Sequence, residues 1–464
     1  MTFLVCISFF SFSVAWAERE GPAHDLEYIF NLALGNDPKL QQASHVRLAA
    51  LESEPQAIAR LLPLFSATGS TNWNYFRTKK LGSLQGLQAA AGRSSKAVQT
   101  YWQDSFVVNL KQPLMHWDYW IQLSQTENQI AKAEAEYQTV LQDLMSRTIK
   151  AYLDILLAKD TLRFANAEKE SLSRQFEQAQ QRFDVGLIAI TDVLEAQSGF
   201  DGARSREIVA ENNLDDAIEA LREITGEYDR QLVPLPETIP LMKPQPLNIN
   251  EWAYSADSQN LMIIAAQNDA ELARKTIELQ RSGHFPTLDV VGNFNVQDNS
   301  AQGFGLRGET GSVGVQFNLP IYEGGAVNSR TREALYKYNA AKDNLLAVRR
   351  QVARQVRDAY RGVISTISQV EALDAAIRSS ATALEAITAG FEVGTRTMVD
   401  VVNEQRNLYQ ARNNLSEARN NYILNWVSLK ESASNLSQDD IKILNDILLG
   451  ISGRNSGLKR DRVK

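Results

Sequence analysis

The chain has 464 residues, 44% of them hydrophobic, with a formal net charge of −7 and an isoelectric point near 5.4. A buried core is affordable at that composition, while the acidic balance argues against nucleic acid, which requires a basic stripe. The one cysteine, Cys6, lies in an apolar leader, so the mature chain has neither a disulfide nor a lipid-bearing thiol.

Residues 1–17, MTFLVCISFFSFSVAWA, end in Ala15-Trp16-Ala17, a small-x-small cleavage pattern, and read as an export signal, although no Lys or Arg opens it. No other stretch approaches 18 uninterrupted apolar residues, so entry into a membrane has to be by strands. A helical pattern from Asp25 to Arg60, broken near 35–38, gives way to a period of two. Phe65, Ala67, Gly69, Thr71, Trp73 and Tyr75 alternate with Ser66, Thr68, Ser70, Asn72 and Asn74, which is strand spacing. A Gly/Ser/Lys-rich loop is expected over 78–100, and a second strand over 103–113 with Phe106, Val108 and Leu110 on one face. The pair recurs at 286–298, with Leu288, Val290, Phe294 and Val296 on one face, and at 311–320, with Val313, Val315, Phe317 and Leu319.

Long helices separate the strand pairs. No proline occurs from Leu114 to Val233 or after Pro320, and apolar steps of three and four run from Leu141 to Ala165 and from Val352 to Ile387. A helix over 326–390 would be about 95 Å long at ~1.5 Å per residue, which suits a tube better than a globule. Each long helix reaches the same signature. FDVGLIAITDVLEAQ starts at Phe183 and FEVGTRTMVDVVNEQ at Phe391, 391 − 183 = 208 residues later. Gly186 and Gly394 suit the left-handed end of a helix, and Asp192 and Asp400 the first turn of the returning one, so each stretch predicts the tip of a helical hairpin.

The expected organisation is a signal at 1–17, a first repeat at 18–233 with its tip near 186, and a Pro-rich linker at 234–250. A second repeat follows at 251–433 with its tip near 394, then a C-terminal helix and disordered tail at 434–464. Four amphipathic strands cannot close a barrel, and open edges are not tolerated in lipid. The chain must therefore oligomerise, and three copies supply 3 × 4 = 12 strands. Tyr75, Phe76, Tyr101 and Trp102 near the loop, and His116, Trp117, Tyr119 and Trp120 near the helices, read as two interfacial girdles against outer-membrane lipid.

The segments AGFEVGTRTMVDV and FDVGLIAITDV, with HFPTLDV and LPIYEGGAVNSR, also resemble the tips and strand signatures of TolC-type outer-membrane channels. The similarity covers nearly the whole mature chain. It implies an α+β membrane protein: a homotrimer with a 12-stranded transmembrane β-barrel, four strands per chain, continued by a long α-helical coiled-coil periplasmic tunnel. It further implies a periplasmic adaptor of the membrane fusion protein class and an inner-membrane transporter of ABC or RND type, exporting toxic compounds or secreted proteins without chemistry or cofactor. Carried over by resemblance, Arg396 and Thr191 form a link between hairpins that holds the entrance closed, and Asp400 an acidic ring. Three such carboxylates would raise one another's pKa. Asn403 replaces a second acid below the ring, Phe391 cannot donate a hydrogen bond to Asp192, and Gln175 opposite Thr388 replaces a Gln-to-Glu link. A weakened latch is expected. Val185, Gly186, Leu187, Val393, Gly394 and Thr395 form the exposed tips expected to meet the adaptor.

His24, His45, His116 and His284 show no metal spacing, and no phosphate loop, nucleophile elbow or dinucleotide fingerprint is present. An enzyme is not expected. The alternative class is a periplasmic coiled-coil scaffold without a pore, against which the aromatic-ended strands count.

Overall fold

The computed structural model describes residues 24–77, 98–227, 231–236, 239–299 and 306–450. The expected signal at 1–17, the tail from Ser452 and nearly all of the loop at 78–100 lie outside them. In chain order the elements are α1 (Leu26–Asn36), α2 (Pro38–Leu51), α3 (Ser53–Ala59), β1 (Leu64–Arg77), β2 (Val98–Met115), α4 (Trp117–Asp184) and α5 (Ile190–Thr225). They continue as α6 (Ile249–Gln259), α7 (Leu261–Arg281), β3 (Thr287–Asn299), β4 (Leu306–Asn318), α8 (Ala326–Glu392), α9 (Met398–Ser432) and α10 (Gln438–Leu448). No helix among the described residues is long and apolar enough to cross a membrane.

The four strands form one antiparallel sheet in the order β1-β2-β3-β4. Register turns the alternation read along each strand into rows across the sheet. Phe65 lies opposite Leu110, Leu110 opposite Gly292, and Gly292 opposite Val313; the next row is Ala67, Val108, Phe294 and Gly311. Trp73 faces Trp102 nearer the loop, and Leu288 faces Phe317 at the other end. This face is strongly exposed, with Phe65 at 68%, Val313 at 81% and Val315 at 66%. The other face carries rows of Ser and Asn, where Asn293 donates to Asn109 at 2.8 Å and the Ser70 and Ser105 hydroxyls lie 2.8 Å apart. Among the described residues, both edge strands, β1 and β4, lack an outer partner strand.

Both limits of β2 and both of β4 differ from the sequence reading: β2 starts at Val98 rather than 103, and β4 ends at Asn318 rather than 320. Pro113 does not end β2; pairing shifts between Pro113 and Met115, and this irregularity absorbs the missing N–H. β4 begins at Leu306 because Arg307, Gly308 and Glu309 extend the ladder without any apolar alternation to announce it. His116 is no girdle residue. It is 7% exposed, its Nε2 lies 3.0 Å from Asp289 Oδ1, and its ring stacks on Tyr119, while Trp117 and Trp120 are exposed. Lys111 Nζ meets the other Asp289 oxygen at 3.2 Å, joining β2, β3 and the start of α4.

Contacts divide the chain into two units, with boundaries inside α2, α4, α6 and α8. One unit comprises the described residues up to Gln41, Val140–Ala256 and those from Arg354 onward; the other comprises Gln42–Thr139 and Asp257–Ala353. The second unit holds the sheet, and there Gln125, Asn128 and Lys132 of α4 meet Thr276, Asn268 and Asp269 of α7 at 2.7–3.0 Å. In the first unit, the expected seams are buried at Leu144, Thr148, Ala151 and Ile155 of α4 and at Val356, Ala359, Val363 and Val370 of α8. The linker is tied to α9, where the Tyr422 hydroxyl accepts from Met242 N at 2.7 Å and donates to Met242 O at 3.1 Å.

Candidate functional site

The repeated signatures build two tips with one hydrogen-bond pattern. At the first, Gly186 has φ 77°, its N–H reaches Phe183 O at 2.8 Å and Leu187 N reaches Arg182 O at 2.8 Å. At the second, Gly394 has φ 79°, its N–H reaches Phe391 O at 3.1 Å and Thr395 N reaches Gly390 O at 2.8 Å. This paired closure satisfies the last helical carbonyls and needs a residue free to adopt positive φ. Val185, Leu187 and Val393 project from the tips at 70%, 73% and 74% exposure, and the Thr395 hydroxyl turns back to Gly390 O.

The returning helices differ. Thr397 caps α9, accepting from Asp400 N at 3.2 Å, while the Asp400 carboxylate accepts from Thr397 N at 3.0 Å and its hydroxyl at 2.9 Å. These bonds, backbone first, and the Arg396 charge hold the Asp400 carboxyl below the usual aspartate range within the single chain. The equivalent of Thr397 at the start of α5 is Ala189, which has no side chain to cap with, and Asp192 in that first turn goes without the reciprocal bond.

Behind the tips the hairpins share a core. Leu172 and Ala179 of α4, Val193, Ala196 and Ala203 of α5, and Met398, Val401 and Val402 of α9 are buried together, with Phe183, Leu384, Ile387 and Phe391 packed against them. Gln175 does not meet Thr388: its Nε2 donates to Gln405 Oε1 at 2.6 Å, and the Thr388 hydroxyl donates to Leu384 O in its own helix at 2.7 Å. Gln405, 3% exposed, was missed, although it ends the repeated signature in the position Gln197 holds in the first copy (197 + 208 = 405). Also unforeseen is Arg182, whose guanidinium lies 5.6 Å from the centre of the Phe391 ring. Thr191, Arg396 and Asn403 are exposed, and no hydrogen bond joins Thr191 to Arg396 among the described residues. Nor is any group of three His, Cys, Asp or Glu among them arranged to hold a metal ion.

A family model described as outer membrane efflux protein matches residues 29–227 and 252–435, both hairpins included. The chain belongs to the outer membrane efflux protein family. Among relatives in this family, the outer membrane protein TolC of Vibrio cholerae is 36% identical over 438 residues, covering 93% of this chain and 94% of that one. The alkaline protease secretion protein AprF of Pseudomonas aeruginosa is 27% identical, covering 93% and 88%. Among solved structures, the CmeC outer membrane channel of Campylobacter jejuni aligns with a TM-score of 0.74 at 16% identity, covering 97% of this chain and 98% of that one, which establishes a shared fold. As a member of the efflux protein family, the chain resides in the Gram-negative outer membrane.

Proposed function

We propose that three copies of this chain form the outer-membrane exit duct of a tripartite export system, gated at the periplasmic hairpin tips. The observation that carries this reading is the sheet: four strands of 13–18 residues, one face apolar and exposed, both edges open. Such strands exceed the roughly 9–11 residues needed to span a bilayer. Because β1 and β4 run in opposite directions, β4 of one copy beside β1 of the next continues the antiparallel pattern, and 3 × 4 = 12 strands close without an edge. The paired hairpins α4–α5 and α8–α9, one in each of the repeats 18–233 and 251–433, then contribute 3 × 4 = 12 helices to a periplasmic tunnel.

At the entrance, three Asp400 carboxylates form a single acidic ring, since Asn403 follows one turn on, and favour cations. Thr191 and Arg396, exposed and unjoined within one chain, link hairpins across copies. Val185, Gly186, Leu187, Val393, Gly394 and Thr395 meet a periplasmic adaptor, which couples the duct to an ABC or RND transporter. Relatives named for alkaline protease secretion and for cobalt-zinc-cadmium resistance support cargo ranging from proteins to small toxic solutes.

The test is single-channel current from detergent-extracted trimer in a planar lipid bilayer. Discrete cation-favouring steps, altered by divalent cations and enlarged by Arg396→Ser, are expected. A verified trimer that stays silent both as the native chain and as Arg396→Ser overturns the duct.

A further inference from the structure

We infer that Arg182 is a latch residue of the entrance, clamping the first hairpin onto the second through the aromatic face of Phe391. The inference rests on gating at the tips. Arg182 belongs to the last turn of α4 and Phe391 to the last turn of α8, so the 5.6 Å contact bridges the two hairpins. The ring is a fixed platform. Phe391 packs on the buried cluster behind the tips, and the turn that follows it is anchored by three bonds onto the Gly390 carbonyl, from Thr395 N, Thr395 Oγ1 and Arg396 N. A Cβ on Gly390 would lie 2.8 Å from Arg396 Cγ, so an arginine at the position matching Arg182 (182 + 208 = 390) would have to displace the Arg396 side chain. The two halves are therefore complementary: one supplies the cation, the other the ring. A cation held over a ring face is attracted by the ring quadrupole, and the planar guanidinium stacks well. Phe391 thus latches without the hydrogen bond that a tyrosine there would give to Asp192.

Arg182 also sits where a positive charge favours a helix C-terminus, a role that needs no ring. A double-variant cycle on the full-length trimer separates the two. Single-channel open occupancy is compared for the native chain, Arg182→Gln, Phe391→Leu and the pair together, with trimer assembly and thermal midpoint measured in parallel. Each single change should raise open occupancy by about twofold to fivefold per contact released. The pair should add nothing to Phe391→Leu alone, and Phe391→Tyr, which keeps the ring, should be at least as closed as the native chain. An Arg182→Gln effect that is absent, or as large in the Phe391→Leu background as in the native one, overturns the latch while the duct stands. If no channel conducts at all, including Arg396→Ser, the duct reading fails and the latch fails with it. Should Phe391→Leu not assemble, Arg182→Lys, which keeps a cation over the ring, must remain closed while Arg182→Gln opens.

Discussion

Asp37 is 1% exposed, and its carboxylate caps α2 through Leu40 N at 2.6 Å while taking Arg147 Nη1 at 3.0 Å. Burial alone would push its carboxyl up; the Arg147 bond, the Leu40 N–H and the arginine charge outweigh it and hold the carboxyl below the usual 3.8. A carboxylate depressed in this way stabilises the fold above the unfolded value and loses that contribution as pH falls through the folded one. Arg147→Met leaves the carboxylate buried without its cation, and should cost about 3–5 kcal/mol near neutral pH. The gap between native and variant should narrow as pH falls below about 4 and through the lowered native value, below which the carboxyl is neutral in both. Thermal midpoints in detergent across that range decide it; a gap independent of pH would mean that lost packing, not charge, sets the cost.

At the scale of elements, the tips were the most legible part of the sequence. Gly186 and Gly394 announced helix ends because few other residues accept positive φ, and both close with the same pair of bonds. Strand alternation was equally plain where one face is apolar. It failed at Arg307, Gly308 and Glu309, where the ladder continues without an apolar residue to mark a face. The contacts of Gln405 and Arg182 were illegible for another reason: which residue of a distant helix lies opposite depends on helix rotation, and a one-dimensional period does not specify it. The missing cap is a lever at this scale. Ala189 already has extended N-cap geometry, φ −80° and ψ 155°, with Asp192 three residues on. Ala189→Thr should complete the box seen at Thr397 and Asp400, stabilise the start of α5 by about 1 kcal/mol, and slow hydrogen exchange at the Thr191 and Asp192 amides. Unchanged exchange there would show that the first tip is held by the shared core alone.

At the scale of the molecule, the two halves in the sequence and the two units in the structure are different divisions. The halves follow one another in the chain, whereas each unit draws residues from both, because α4 and α8 run without interruption through the unit boundaries. The sheet carries the prediction that belongs here. Val313, 81% exposed and midway along the edge strand β4 on the apolar face, should not tolerate a charge: Val313→Arg is expected to cost about 2–4 kcal/mol per copy and to deplete the outer-membrane fraction. Ser312→Arg, on the opposite face, should leave that yield intact and change only the current. Equal loss from both substitutions would place neither face in lipid.

The bare edges of the sheet have a consequence for the history of each molecule. β1 and β4 contain no proline, and among the described residues neither has a strand paired along its outer edge, beside a greasy surface. On the proposed three-copy assembly, a single copy is adhesive, ready to zip onto any passing strand until two sisters cover its flanks. Its survival becomes a race between assembly and clumping, won by rapid encounter or by an escort that shields the flanks in transit.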